Sequence, residues 1–417
     1  MSKSGVDNKA AKIAAIEDRG ERPGQMEPLV LSQGAPRRPE LTDLAVELAS
    51  AASGFRRSLP DGIVTALADL VRAMNCYYSN LIEGHDTHPV DIERAINEDY
   101  SADQEQRNLQ LEARAHIKVQ EWIDSGGLKG REMSAAGLCE IHRRFCEELP
   151  DELLWVEHPN IRERLPVIPG EFRQHDVEVG RHHASSPPAI ARFLNRFEEV
   201  YGRLGKAETI LAAAAAHHRL LWIHPFLDGN GRVARLMSYA TLLSTLDTGG
   251  VWSIARGLAR SEGTYKQHLI ACDASRRNDL DGRGALSEEA LSKFTQFFLE
   301  TCLDQVTFME ELVRPEKLRA RIKLWTDEEI ATDSLPKQAG IVLEALLYRG
   351  ELRRSELPEL LNTSARTARR VVSSLFDHGV VISNTSRSPL RITFPAKLAS
   401  RWMPGLFPEQ LNPYCDR

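Results

Sequence analysis

HPFLDGNGRVAR, residues 224–235, sets an imidazole, a carboxylate, a Gly-Asn-Gly turn and two guanidinium groups within twelve residues. Gly229, Asn230 and Gly231 can carry the chain through left-handed conformations at little steric cost, turning successive backbone N–H groups into a concave anion nest. A helix starting near Arg232 aims its positive dipole end at the same point. Arg232 and Arg235 stand three apart on the first turns of that helix, and their forked donors suit phosphate oxygens. Asp228, just before the nest, is placed to hold Mg²⁺, which prefers a carboxylate oxygen together with phosphate oxygens and water. His224 has the side chain able to accept a proton near neutral pH. A bare GNG is most often a helix-connecting turn. The full set points instead to phosphoryl or nucleotidyl transfer with His224 as base. No GxxxxGK[ST] loop occurs elsewhere, so this stretch is the best nucleotide cradle the chain offers.

On either side the texture is helical. ETILAAAAAHHRLLWIH precedes the motif and GRVARLMSYATLLSTL follows it, both strongly apolar. Upstream, LTDLAVELASAASGF, DGIVTALADLVRAMNCYYSNLIEG, QRNLQLEARAHIKVQEWI and SAAGLCEIHRRFCEEL place apolar residues at three-and-four spacing. Pro and Gly interrupt at LPVIPGEFRQHDVEVGRHHASSPP, where short β-prone runs such as Val177 to Val179 predict a small hairpin. Residues 1–38 are polar and rich in breakers, as in GERPGQ and GAPRRPE. They read as a flexible arm, partly helical near Ala10 to Ile16.

Beyond about residue 333 a compact unit begins with PKQAGIVLEALLYRG, RRSELPELLN and SARTARRVVSSLFDHG, followed by VVISNTSRSPLRITFP, two β-prone runs around a turn. Three helices and a hairpin in this order predict a winged helix-turn-helix. The expected division is therefore an arm over 1–38, a mostly α body over 39–333 and a winged-helix unit with its tail over 334–417. Residues 335–400 carry ten Lys/Arg against five Asp/Glu, so they are positive although the whole chain has a net charge of -6. Any nucleic-acid contact is thus expected at this end of the chain. Arg366, Arg369 and Arg370 stand on its third helix, and Arg387 and Arg391 flank the wing, where phosphate contacts are common. Winged helices also dock proteins or dimerise, so a homodimer stays open as well.

Composition narrows the class. A chain of 417 residues with 42% hydrophobic content and 6% aromatics suits a helix-rich globular protein of two or three domains. Cys76, Cys139, Cys146, Cys272, Cys302 and Cys415 form no CxxC pair, so they read as reduced thiols in a cytoplasmic protein. The N-terminus lacks a signal-peptide h-region, and ILAAAAA is far too short to span a bilayer. No membrane role is expected.

The twelve residues resemble the signature of the Fic family of AMP-transferases, HPFx[D/E]GNGRxxR. His224, Pro225, Phe226, Asp228, Gly229, Asn230, Gly231, Arg232 and Arg235 fill every fixed position. The likeness extends over roughly residues 60 to 310 and takes in PGEFR, Pro169 to Arg173, of the kind found before the family's flap hairpin. It implies a mostly α Fic-type core and a protein adenylyltransferase. His224 would deprotonate a Ser, Thr or Tyr hydroxyl of a target protein, and that hydroxyl would attack the α-phosphate of ATP and expel pyrophosphate. Asp228 would hold Mg²⁺. Asn230 and the backbone of Gly229 and Gly231 would bind phosphates, Arg232 would add charge there, and Arg235 would reach the γ-phosphate. Phe226 would anchor the loop. Some relatives instead remove AMP or move other phosphate-containing groups, and the signature does not separate these reactions. A DNA-binding regulator with a nucleotide-sensing or self-modifying core is the alternative from another class.

The resemblance also covers a brake. Ser79-Asn80-Leu81-Ile82-Glu83-Gly84 fits the family's inhibitory motif [S/T]xxxE[G/N], in which the Glu pairs with the second signature arginine and excludes the γ-phosphate. Carried over, Ser79, Glu83 and Gly84 form that motif and Glu83 pairs with Arg235. A helix-terminal Glu-Gly is more commonly a mere helix end.

Two other patterns carry less. Arg277 to Glu288 imitates a calcium loop through Asp279, Asp281, Gly282 and Glu288, but Arg277 occupies the first ligand position, so a loop capped into a helix is expected. His217 and His218 have no metal-site spacing and read as packing residues. The strand around VEVGRHH is either a plain hairpin or an edge to which a target segment adds.

Overall fold

The computed structural model describes residues 17–157 and 163–408. Helices come first: α1 (Arg38–Arg57), α2 (Asp61–Ile82), α3 (Pro89–Ile96), α4 (Gln104–Asp124) and α5 (Ala135–Glu147). Two antiparallel strand pairs follow, β1 (Trp155–Glu157) with β2 (Arg164–Pro166), and β3 (Glu178–Val179) with β4 (His182–His183). Then come α6 (Ile190–Tyr201), α7 (Lys206–Ile223), α8 (Asn230–Leu246), α9 (Ala255–Arg260), α10 (Glu262–Cys272) and α11 (Glu288–Leu312). The fold is mostly α.

At the centre lie α7 and α8, joined by residues 224–229 and packed along their lengths. Ala212 to Ala216 are all buried, and side chains this small let the helices approach closely. Around this pair, α1 shows its logic plainly: Leu41, Ala45, Leu48, Ala52 and Phe55 recur at helical spacing, are buried, and face α11. α2 is buried nearly all round, including Tyr77, Tyr78, Ser79 and Asn80 near its end. Its inner face toward α4 is polar, with Asn75 Nδ2 donating to Gln120 Oε1 at 2.7 Å. α2 stops at Glu83 because Gly84, at φ +86°, takes the left-handed position after the cap; Gly84 N–H bonds Leu81 C=O and His85 N–H bonds Asn80 C=O.

The expected N-terminal arm is corrected over residues 17–37. Met26, Leu29, Leu31 and Ala35 are buried, Tyr201 Oη donates to Leu29 C=O at 2.6 Å, and Arg219 Nη2 donates to Pro28 C=O at 3.0 Å. Four scattered apolar residues show no periodicity in sequence, yet each finds a place on the helical body. The helix expected near Ala10 to Ile16 lies outside the described residues.

The chain ends with α12 (Pro315–Ala331), α13 (Ala339–Arg349), α14 (Leu357–Leu360), α15 (Ala365–Asp377), the hairpin β5 (Val381–Ile382) and β6 (Arg391–Ile392), and α16 (Ala399–Trp402). α12 packs on α13 and α16, with Trp325 edge-on to Trp402 at 5.1 Å, so a boundary after residue 333 cuts through this packing. Past α16 the chain returns to the end of α2: Tyr78 Oη donates to Leu406 C=O at 3.0 Å and Phe407 lies edge-on to Tyr77. Cys76, Cys146, Cys272 and Cys302 are buried free thiols, Cys139 is half-buried and free, and Cys415 lies outside the described residues. Among the described residues no helix is long and apolar enough to cross a membrane.

If residues 17–37 are structural, Leu29→Ala lowers unfolding free energy by about 2–5 kcal/mol, the usual range for a buried Leu→Ala change. Urea denaturation reads it, and a shift under about 0.5 kcal/mol would mean that the segment contributes nothing.

Candidate active site

α7 ends at His224, whose backbone lies in the left-handed region at φ 51°, ψ 61°. Such a position costs a β-carbon-bearing residue energy and persists only where neighbours enforce it. Three groups do so. Arg173, from the PGEFR stretch and 3% exposed, donates to His224 C=O at 2.7 Å and to Ser185 C=O at 2.5 Å, while its backbone N–H bonds Pro225 C=O. Phe226 is fully buried and stacks flat on His142, ring centres 4.1 Å apart. Asn230 closes the turn: its Oδ1 accepts from Phe226 N–H at 3.0 Å and its Nδ2 donates to Phe226 C=O at 2.8 Å.

The Asn230 side chain is thus engaged with the Phe226 backbone, whose N–H and C=O it satisfies. What remains for an anion is backbone. Gly229 at φ 76° precedes α8 with no side-chain cap, so the first-turn N–H groups of α8 stay available at the mouth of the turn.

The imidazole of His224 has one ring nitrogen engaged by the backbone. Its Nδ1 lies 3.2 Å from Leu221 C=O, which places the proton there and leaves the Nε2 lone pair free. Burial lowers its pKa to about 4, with the positive charge of Arg173 acting in the same sense, so it is neutral at physiological pH. His142 is likewise pushed down to about 4 by burial; its Nδ1 accepts from Gly170 N–H at 2.9 Å, tying PGEFR to the loop.

Both signature arginines face carboxylates. Arg235, 4% exposed, forms an ion pair with Glu83 Oε1, and its Nε donates to Ser79 Oγ at 2.9 Å. Burial opposes the charged form of Glu83, but Arg235 outweighs it and holds the pKa below its ordinary value. A Cβ at Gly231 would collide with the same Glu83 oxygen, so the carboxylate sits against the start of α8. Arg232 donates from Nη2 to Glu112 Oε2 at 2.7 Å, and His85 Nδ1 reaches the same oxygen at 2.7 Å. Asp228 is exposed, and among the described residues nothing pairs with its carboxylate. An unclaimed carboxylate beside an uncapped helix start fits the one-carboxylate manner in which Mg²⁺ is held with phosphates.

Glu83, His224, Gly231 and Arg235 line one cleft of about 520 Å³, whose far wall is apolar, with Leu221, Trp222, Tyr265, Leu269 and Ile270. The β3–β4 hairpin covers one side through Val179 and His182, and His182 Nε2 lies 2.7 Å from Trp222 C=O. His217 bridges Ser238 Oγ and Tyr265 Oη inside the core, and His218 meets Asp273, so both are packing residues. Asp281 accepts from Ser287 Oγ and Glu289 N–H as a cap for α11, and Glu288 accepts from Ser32 N–H. Outside the cleft lining, Arg366, Arg369 and Arg370 lie exposed on α15 with no ion pair among the described residues, and Arg387 is exposed in the β5–β6 turn. Arg391 does not join them: it donates to Asn384 Oδ1 at 2.7 Å, on a strand that packs against α2.

Residues 132–242, which hold α5, the hairpins, α6, α7 and most of α8, match the Fic/DOC family model. They form a Fic/DOC-family domain. A protein adenylyltransferase Fic of Drosophila erecta is 30% identical over 124 residues, 29% of this chain and 22% of that protein. One of Drosophila yakuba is 39% identical over 80 residues, 19% of this chain and 16% of that protein. The chain thus spans about a fifth of the length of these curated relatives. Among solved structures, a Fic family protein from Desulfovibrio desulfuricans G20 aligns with TM-score 0.47 at 15% identity over 84% of this chain and 96% of that one. Fic-1 from C. elegans aligns with TM-score 0.45 at 13% identity over 67% and 76%. The match to the Fic model leaves out α2, so the placing of Ser79 and Glu83 rests on the contacts themselves.

His142, Arg173, Glu112 and His85 were not singled out in sequence for a role. Arg173 lay within a noted motif; the others carry no local signal.

Five histidines, His116, His142, His217, His218 and His224, are held well below the ordinary value of 6.5 by burial, to about 3 or 4. The unfolded chain therefore binds more protons than the native one between pH 6.5 and 4, and stability falls as pH drops through that window. His85, raised by its bond to Glu112, opposes this in part. The melting temperature should decline from pH 7 to pH 5, and a flat profile would contradict the buried neutral histidines.

Proposed function

We propose that the chain is a protein adenylyltransferase held in check by Glu83. The observation that carries this reading is the free Nε2 of a neutral His224, set in one cleft with the uncapped start of α8 and Arg235. The target's Ser, Thr or Tyr hydroxyl gives its proton to His224 Nε2 while its oxygen bonds to the α-phosphorus of ATP. The bond from that phosphorus to the bridging oxygen breaks, and pyrophosphate leaves with the electron pair. Backbone N–H groups at Gly229 to Gly231 and the guanidinium groups of Arg232 and Arg235 answer the phosphate charge. Mg²⁺, when held by Asp228, supplies further charge neutralisation. The apolar wall with Trp222 and Tyr265 suits a purine base.

In this reading Glu83 and a phosphate oxygen compete for Arg235. A charge-assisted hydrogen bond is worth about 1.5–3 kcal/mol and about 1.4 kcal/mol is tenfold, so the brake suppresses transfer by about ten- to a hundredfold. With ATP labelled on the α-phosphate and a bacterial lysate as target source, Glu83→Gly should raise protein labelling by that factor. Adding His224→Ala should abolish labelling while ATP still binds. Label persisting in the double variant would remove His224 as base.

A second reading concerns the C-terminal unit. Arg366, Arg369 and Arg370, exposed on α15 and without ion pairs among the described residues, together with the β5–β6 hairpin, favour a winged helix that lays α15 on duplex DNA. Binding should then weaken steeply with salt and be lost when the three become Ala. Salt-insensitive binding, or none, would leave the unit as a docking or dimerisation module.

A further inference from the structure

We infer that Glu112, on α4, is a positioning residue for the proposed transfer, acting through Arg232 without touching substrate. The inference rests on the adenylyl-transfer reading of the same cleft. Arg232 is the third residue of α8, in the uncapped first turn where phosphate would be met, and it is 7% exposed. An untethered arginine samples many rotamers, a freedom that phosphate binding would have to overcome. Here that freedom is already removed. Glu112 Oε2 takes Nη2 at 2.7 Å, and the guanidinium carbon lies 5.1 Å from the Phe145 ring centre. Nη1 has no partner among the described residues, and Nε is buried without one, so the tether uses one nitrogen of three.

Glu112 is itself held. Its side chain is 15% exposed, and His85 Nδ1 bonds the same oxygen at 2.7 Å from the loop after α2. Two effects of opposite sign meet at this carboxylate: its charge offsets that of Arg232 and weakens attraction for phosphate, while its grip fixes the fork. Burial favours the second. A guanidinium so enclosed and without a counter-charge would be costly and would turn toward solvent, whereas a paired one keeps its position. Neither α4 nor its Glu stands within the twelve-residue motif, and α4 lies outside the segment matching the Fic model.

The test measures ATP and adenosine affinity by calorimetry, with Mg²⁺ present, in the Glu83→Gly chain, so that the brake does not interfere. Glu112→Ala should weaken ATP about tenfold and leave adenosine within about twofold, because adenosine has no phosphate and reports an intact cleft. Glu112→Gln, which keeps size and one acceptor, should weaken ATP about threefold. In the Arg232→Ala chain either change should add nothing, since the route through Arg232 is gone. Unchanged ATP affinity, a parallel loss for adenosine, or an additive loss in the Arg232→Ala chain would each overturn the inference. No ATP binding by the Glu83→Gly parent would overturn it together with the functional reading. ATP binding without label transfer would sink the functional reading alone, with Glu112 still decided by the affinities.

Discussion

The left-handed backbone at His224 is the constraint around which the site is built. A helix must stop there and another must begin six residues later, and the turn between them uses Gly229 for one left-handed position but His224 itself for the other. A histidine stays in that conformation because Arg173 holds its carbonyl, Asn230 holds Phe226, and Phe226 is pressed against His142. With the backbone so pinned, Nδ1 meets Leu221 C=O and His224 lines the cleft. Gly229 enters α8 with no capping side chain, so the first-turn N–H groups make no cap hydrogen bond.

Charge completes the arrangement. Two buried arginines on one helix face need compensation, and two helices supply it: Glu83 from the end of α2 for Arg235, and Glu112 from α4 for Arg232. Under the proposed reading the first carboxylate gives way to a phosphate and the second does not. Their settings differ accordingly. Glu83 is a third exposed and stands on the last residue before a glycine stop, whereas Glu112 is mid-helix, mostly covered and shared with His85. α2 is joined to α4 by the Asn75–Gln120 hydrogen bond, and near its end it meets the returning chain at Leu406 and Phe407. The element carrying Glu83 is thus in direct contact with the C-terminal part of the molecule.

Legibility followed distance along the chain. The turn, the helix after it and the spacing of Arg232 and Arg235 all lie within twelve residues, where backbone geometry follows from residue type and order. The Glu83–Gly84 helix end was readable for the same reason. His142 and Glu112 were not, because a histidine or glutamate in an amphipathic helix looks like any solvated or packed residue until the helix is placed. Asn230 is plain in the motif, but which partner its side-chain amide takes depends on the backbone of Phe226. The segment before α1 was misjudged because Met26, Leu29, Leu31 and Ala35 follow no period, and only the shape of the helical body gives them a place.

From the order of residues alone came the mostly α class, the turn between two helices that carries His224, and the placing of Arg232 and Arg235 three apart on the first turns of α8. These are local properties of a turn and two helix ends. Folding supplied the rest: a neutral imidazole, since burial sets its pKa; the partners of Arg232 and Arg235, since Glu112 and Glu83 are more than a hundred residues away along the chain; and the covering of the cleft by Trp222 and the β3–β4 hairpin. Desolvation and pairing of distant charges depend on which surfaces meet, and that is a property of packing and not of composition.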